Sequence, residues 1–514
     1  MILSTKYLFK NTCKITCLLF SFFILHSFNG IAGEIHYNIC DFGAVGDGQA
    51  LCTDAFNKAI DKCNADGGGT VIVPRGIFKS GTIVLKTNVN LHLEMGATIS
   101  ASTNHADFPR QKQPEYRSQK DPGGWYALIY AEGASNIAVT GFGTIEGNGK
   151  EQTPAPDHTL DGDRDGRVRN LLFISCNQVR IEGIKMRNSG IWNQHFLNCE
   201  DVIVDRINVY NHANENNDAI DIDGCRRFVL SNSILDSEDD CIVLKSTGIA
   251  PAEDIVITNC ITSSYCNAIK LGTESTGGYR NISISNCVVR PSRSSASVYK
   301  TNPKIGICGI ALGVTDGGVM EGITISNITI SGTECPFFIR LANRARKHVE
   351  NAPEPPIGHI RNISISNITA FDCGNTTSSI TAIPGCAIEN ININNVQIYN
   401  SGGLKSGGYI VDYKDVTEDE KGYPEGTGWG NLPASTFFIR HVKNLAINNL
   451  MFGSDQPDPR IPIIAIDVEN MQINKTIYAG DENKNTLIVL DQVRDFSIEK
   501  PQGWDNDKYI KQID

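Results

Sequence analysis

The sequence predicts an all-β protein, a parallel β-helix in which short strands stack coil upon coil. Three observations carry this. First, a unit made of an Asn or Asp turn, a short strand, another Asn and a second strand recurs along the chain. Copies begin at Asn136, Gln178, Asp201, Arg227, Asp254, Asn281, Gly322, Asn362, Asn390 and Asn444. Second, the spacing of the undecorated copies lies in the twenties. Val179 to Val202 is 23 residues, Val202 to Phe228 is 26, and Phe228 to Ile255 and Ile255 to Ile282 are 27 each. A period of that size marks a solenoid. Third, the strand positions are mostly Ile and Val and no helix recurs with them. That suits stacked, pleated strands and not a leucine-rich repeat. A β-sandwich of many short strands is the competing architecture.

The elements follow in order. Lys6, Lys10 and Lys14 precede an apolar run, Ile15 to Leu25, and Gly30-Ile31-Ala32 offers small residues after it. This pattern is expected of a secretory signal peptide over residues 1–32, placing the protein outside the cytoplasm, secreted or periplasmic. The run is short for a membrane span of about 20 residues, so no stable membrane insertion is expected. Residues 33–514 are then expected to form one β-helix with an N-terminal cap and loop insertions. In Thr53 to Asn64 the apolar residues Phe56, Ala59, Ile60 and Cys63 recur at spacings of three and four, so they share one helical face. A short helix there suits a cap over the open end of a solenoid, whose strand edge would otherwise be exposed. Gaps of 41 residues (Ile282 to Ile323), 40 (Ile323 to Ile363) and 54 (Ile391 to Leu445) are expected to be coils carrying insertions. From Asn474 on the repeat fades, and this stretch is expected to close the solenoid. Asn at the corners tolerates left-handed backbone angles and can stack amide on amide.

Composition narrows the function. The chain has 514 residues, 40% hydrophobic and 20% charged, with a formal net charge of -11. A generic nucleic-acid binder needs a basic face, so nucleic acid is not an expected partner. Fourteen cysteines follow residue 32. Disulfides or an interior ladder of free thiols both fit, and with no CxxC pair of zinc spacing neither a metal nor another cofactor is expected.

The chemistry concentrates in Asn216-Asn217-Asp218-Ala219-Ile220-Asp221 and Ser237-Glu238-Asp239-Asp240-Cys241-Ile242. Asp218 and Asp239 are 21 residues apart. In a parallel β-helix one coil later means directly beside, about 4.8 Å away. Three carboxylates packed together cannot all ionise easily, which supplies both an acid and a base. That is what cleavage of a glycosidic bond requires. Asp221, Asp223 and Glu238 read as structural or solvated.

At these residues the chain resembles glycoside hydrolase family 28, the polygalacturonase-like family. The similarity runs from about Asn38 to at least Ile330, through CDFGAVGDG, GGGTVIVPRGIF, NIAVTGFGTIEGNG, NSGIW, NNDAIDID and EDDCIVLKS. The resemblance implies a right-handed β-helix and an inverting, metal-free hydrolase of pectic, galacturonate-containing polysaccharide or oligosaccharide. It implies Asp239 as general acid, with Asp218 and Asp240 positioning and deprotonating water. Two departures stand out. Asn267, in Tyr265-Cys266-Asn267-Ala268, stands where the family has His. Gly309-Ile310-Ala311-Leu312 has no basic residue where the family has Arg-Ile-Lys. Rhamnogalacturonan-type or exo-galacturonide hydrolysis is therefore an alternative. Candidate substrate-binding residues are Asn217, Lys245, Asn267, Lys270 and Arg340, with Arg344, Arg346, Arg440-His441 and His195 as further lining. Trp125, Tyr126, Trp192, Tyr265, Tyr279 and Trp429 could stack on sugar faces. A pectate-lyase-like enzyme and a non-catalytic carbohydrate-binding β-helix are the readings from other classes. A monomer is expected.

Overall fold

The computed structural model describes residues 36–112, 115–120, 125–152, 166–297, 305–480, 484–502, 504 and 507–513. The expected signal peptide lies outside them, as does most of the polar Glu151–Arg167 stretch. Among the described residues every strand pairing is parallel, and the strands form one 35-stranded sheet wound into a right-handed parallel β-helix. The repeat anchors stack in the register that the periodicity predicts. Val179 lies beside Val202, then Phe228, Ile255 and Ile282. The long gaps only add loops: Ile282 still pairs with Ile323, Ile363, Ile391 and Leu445 in turn.

Alternation along each strand sends one set of side chains inward. Ile323, Ile325, Ile363, Ile365, Ile391 and Ile393 are all buried in one continuous core. At the corners, asparagines adopt positive φ. Asn286, Asn327, Asn367, Asn395 and Asn449 lie between 53° and 56°. Each after Asn286 passes a side-chain amide hydrogen to the asparagine below, at 2.7 to 3.1 Å, and Asn286 passes its own to Thr258 Oγ1. The ladder satisfies polar groups that a bare corner would leave to solvent, and asparagine tolerates the backbone geometry better than other residues with a Cβ.

The helix Thr53–Ala65 buries Phe56, Ala59, Ile60 and Cys63 over the first coils, as its periodicity predicts. The C-terminal stretch goes further than its sequence suggests. Ile488–Ile498 pairs on Ile461–Asn474, and Ile510–Ile513 pairs on Ile488 to Asp491. The coil therefore continues almost to the end, although its repeat is no longer legible. All fourteen cysteines from Cys40 to Cys386 are free, and twelve of them are buried. No helix among the described residues is long and apolar enough to cross a membrane.

Candidate active site

One column of strands presents a polar outer face. It includes Arg169–Ile174, Gln194–Leu197, Ile220–Asp223, Ile242–Ser246 and Asn267–Ser275. A single row crosses them: Leu172, His195, Asp221, Val243, Lys270, Ala311 and Phe338. The turns that lead into two of these strands carry Asp218 and the Asp239-Asp240 pair. The backbone locks those turns together, since Ala219 N donates to Asp240 O at 3.1 Å and Ile220 N to Cys241 O at 3.1 Å. One carboxyl oxygen from each of Asp218, Asp239 and Asp240 lies within 4.8 Å of the others.

The three aspartates have different surroundings. Asp240 is 3% exposed and fully engaged. Lys270 Nζ donates to its Oδ2 at 2.6 Å, and Asn267 donates to Oδ1 from the side chain at 2.6 Å and the backbone at 3.1 Å. Asp239 is half-buried. Its Oδ2 accepts from Asn216 at 3.1 Å and its Oδ1 from the backbone N–H of Asp240 at 2.8 Å. Asp218 is buried, and its Oδ1 has no hydrogen-bond partner. Burial, then the neighbouring carboxyls of Asp221 and Asp239, push its carboxyl well above the ordinary range.

Asp221, which the sequence reading treats as structural, sits against this group with neither carboxyl oxygen hydrogen-bonded. Burial raises its pKa to about 8, against the pull of Lys245. Lys245 lies 3.7 Å from Asp221 but 3.4 Å from Glu274. Burial opposes the charge of Lys245, and Glu274 does most to restore it. The charged pair is therefore Lys245 with Glu274, and Asp221 keeps its proton through neutral pH. His195 is fully buried and bonds Asp223 at 3.1 Å, yet burial wins and lowers it to about 4, so it is a neutral imidazole. The alternation of Ala219-Ile220-Asp221-Ile222-Asp223 already put Asp221 on the outer face. The charges above and below it were not visible.

The other expected binding residues separate into two groups. Lys270, Asn267 and Lys245 join the aspartates. Asn217 and Arg340 do not. Asn217 is buried and donates to Ser189 O and Ile191 O at 3.0 and 2.9 Å, so it shapes the Asp218 turn. Arg340 spends its guanidinium on Thr381 Oγ1, Ala382 O, Glu418 O and Asp419 O, holding the 401–433 insertion to the solenoid. Arg344 pairs with Asp316, and Arg440 donates to Val416 O and Thr417 O. Trp125, Tyr265 and Tyr279 are buried. Trp192 is buried as well but stands among cations, with Lys120, Arg169 and Lys245 at 5.0, 5.4 and 4.7 Å from its ring centre. Arg169 and Lys120 escape sequence reading, because one opens an apolar strand and the other lies in an unpatterned loop. Tyr423, from the Gly/Trp/Pro-rich insertion, reaches Lys270 Nζ at 3.3 Å and Thr273 Oγ1 at 3.1 Å. Glu425 from the same insertion is raised, chiefly by burial.

Asp218, Asp239 and Asp240 are also a grouping whose oxygens could close around a cation. Lys270 already supplies the countercharge to Asp240, so the donor set does not require one.

Clustered carboxyls in unlike environments can supply the acid and the base that glycosidic cleavage requires. The comparisons say which kind. The family model for glycosyl hydrolases family 28 matches residues 63–416, and the chain belongs to that family. It is a glycoside hydrolase. It is 27% identical over 441 residues to a probable polygalacturonase of Vitis vinifera, covering 79% of this chain and 85% of that protein. It is 30% identical over 249 residues to an exo-poly-alpha-D-galacturonosidase of Dickeya chrysanthemi, covering 40% of this chain and 41% of that one. The solved exopolygalacturonase of Thermotoga maritima shares the fold, with a TM-score of 0.57 and 23% identity. That match covers 71% of this chain and 87% of the other. Family membership sets aside the lyase and the purely binding readings.

Proposed function

We propose that this chain is an exported, monomeric hydrolase of pectic, uronate-containing glycans. In this reading Asp239 protonates the leaving oxygen, Asp240, paired with Lys270, activates the water, and Asp218, whose carboxyl burial pushes up, helps to position it. Asp239 is assigned as the acid because it is the most solvent-reachable of the three, half-buried where Asp218 and Asp240 are buried. The observation that carries the reading is the grouping of the three aspartates within 4.8 Å, with Asp240 pinned by a buried ammonium. Lys120 and Arg169, around Trp192, supply positive lining for a sugar carboxylate, in place of the missing Arg-Ile-Lys. Lys270 and Asn267 act one step back, by holding the Asp240 carboxylate in place, and Lys245 pairs with Glu274 beside Asp221.

The expected outcome is inversion. The aspartates are grouped more tightly than the spacing of about 6.5–9.5 Å usual for inverting pairs. Such closeness would suit direct attack by a carboxylate. Three donors on Asp240 oppose that, because they occupy the oxygens that a nucleophile would need. Proton NMR of fresh digests of galacturonide and rhamnogalacturonan fragments reads the first-formed anomer. Retention would overturn the water-activating role, and no cleavage of any pectic fragment would overturn the substrate class.

A second reading concerns attack from chain ends. One wall of the site is the segment around Ser118, tied on by Gln119 N to Thr247 O at 2.9 Å and Ala250 N to Tyr116 Oη at 2.8 Å. Tyr423 closes the opposite side. Walls on both sides favour a pocket over an open groove. Release of short products from the first minutes, with little fall in polymer viscosity, is expected. An early viscosity collapse would refute it.

A further inference from the structure

Behind the Asp239 turn lies a second buried charged cluster. His212 follows the strand Asn208–Asn211, and its side chain is 5% exposed. Its Nε2 meets Asp236 Oδ1 at 3.0 Å and its Nδ1 meets Glu238 Oε2 at 3.1 Å. Asp236 belongs to the strand Ile234–Ser237, one coil on, and Glu238 directly precedes Asp239. Only a doubly protonated imidazole donates from both nitrogens. Burial would strip that proton, but the two carboxylates outweigh burial and raise the ring above its ordinary value.

The surrounding groups complete the clasp. Asp236 also accepts from Ser292 Oγ at 2.6 Å and from the backbone N and Nε of Arg293 at 3.0 Å each. Glu238 accepts from Ser297 Oγ at 2.7 Å. Tyr210 and Tyr265 pack on the imidazole at 4.6 and 5.5 Å, and Arg187 adds positive charge beside Arg293. The same turn is held from the other side, where Ser237 Oγ and Ser264 Oγ donate to Asp239 O at 2.8 and 2.6 Å.

We propose that His212 is a positioning residue for the reaction: its imidazolium ties Asp236 to Glu238, and so fixes and partly neutralises the turn from which Asp239 delivers its proton. This rests on Asp239 as the acid. Loss of the proton from His212 takes its positive charge away from Glu238, the residue next to Asp239, which holds the Asp239 proton more tightly and slows its delivery.

The test is a pH profile of kcat on pectic oligosaccharide for the wild type, His212→Gln and the double variant His212→Gln/Glu238→Gln. Wild-type kcat is expected to fall through an alkaline inflection above the ordinary imidazole range. In His212→Gln that inflection disappears, kcat drops roughly 10-fold or more, and KM moves much less, as for a group acting on the transition state alone. The double variant removes the Glu238 charge together with that of His212 and recovers most of the lost kcat. Wild-type kcat in His212→Gln, an unchanged inflection there, or a double variant no better than the single one would each overturn the proposal. Turnover is read as a ratio to wild type, so equal turnover sinks this inference alone. A wild type that cleaves nothing sinks the functional reading and this inference together.

Discussion

Replacing Asp239 by Asn tests the assigned acid most directly. In the folded protein Asp239 Oδ1 accepts the Asp240 N–H and Oδ2 accepts the Asn216 amide. An asparagine can keep the first bond through its carbonyl, but its NH2 then faces another NH2. The structural loss is one partly exposed hydrogen bond, about 1 kcal/mol. The chemical loss is larger, because a general acid contributes about 10²–10⁴-fold. That is roughly 3–5 kcal/mol in the barrier at about 1.4 kcal/mol per decade. The rate effect therefore exceeds the folding effect, and the melting temperature should move little. Leaving-group dependence separates an acid from a water activator. An aryl uronide with a nitrophenol leaving group needs no proton, so Asp239→Asn should hydrolyse it at close to the wild-type rate. On a pectic oligosaccharide the same variant should be slowed by the full factor. Asp218→Asn and Asp240→Asn should be slow on both substrates. Equal slowing of Asp239→Asn on the two substrates, or slowing on neither, would refute its assignment as the acid.

Three further outcomes are expected. Lys270→Met leaves Asp240 buried without its cation, which costs about 3–5 kcal/mol when one member of a buried pair is removed. Thermal melting should fall and kcat should drop about 10²-fold, whereas a variant with wild-type kcat would take the pair out of the mechanism. Asp221 has a folded value near 8, above that of an unfolded carboxyl, so the folded chain holds a proton that the unfolded chain has lost. Its stabilisation is full below pH about 4 and lost as pH rises through about 8. Asp221→Asn should accordingly raise the melting temperature more at pH 8.5 than at pH 5, and an equal effect at both would refute the buried proton. Ile365, 1% exposed between Ile325 and Ile393, should cost about 2–5 kcal/mol when cut to Ala, measured by chemical denaturation. A cost under about 1 kcal/mol would mean that the coil interior collapses around the gap.

The sequence by itself determined the coil register and the adjacency of the aspartates. Both follow from short-range rules: alternation sets the face, and a period in the twenties makes Val179 the neighbour of Val202 and Asp218 the neighbour of Asp239. Asparagines at the corners marked where the backbone turns. The last coils were not legible, because Ile488–Ile498 and Ile510–Ile513 keep the strand geometry after the Asn signals have gone. Tertiary structure alone decided how charge is arranged around the aspartates. Lys270 and Arg340 both looked like free cations in the sequence. One clamps Asp240 at 2.6 Å, while the other is consumed by carbonyls of an insertion 78 and 79 residues away. Tyr423 reaches Lys270 from 153 residues further along the chain. Asp221 keeps its proton because burial outweighs the pull of Lys245, an ammonium shared with Glu274 a coil away. Such partners depend on side-chain reach and on where long loops return to the solenoid, and no local spacing encodes either.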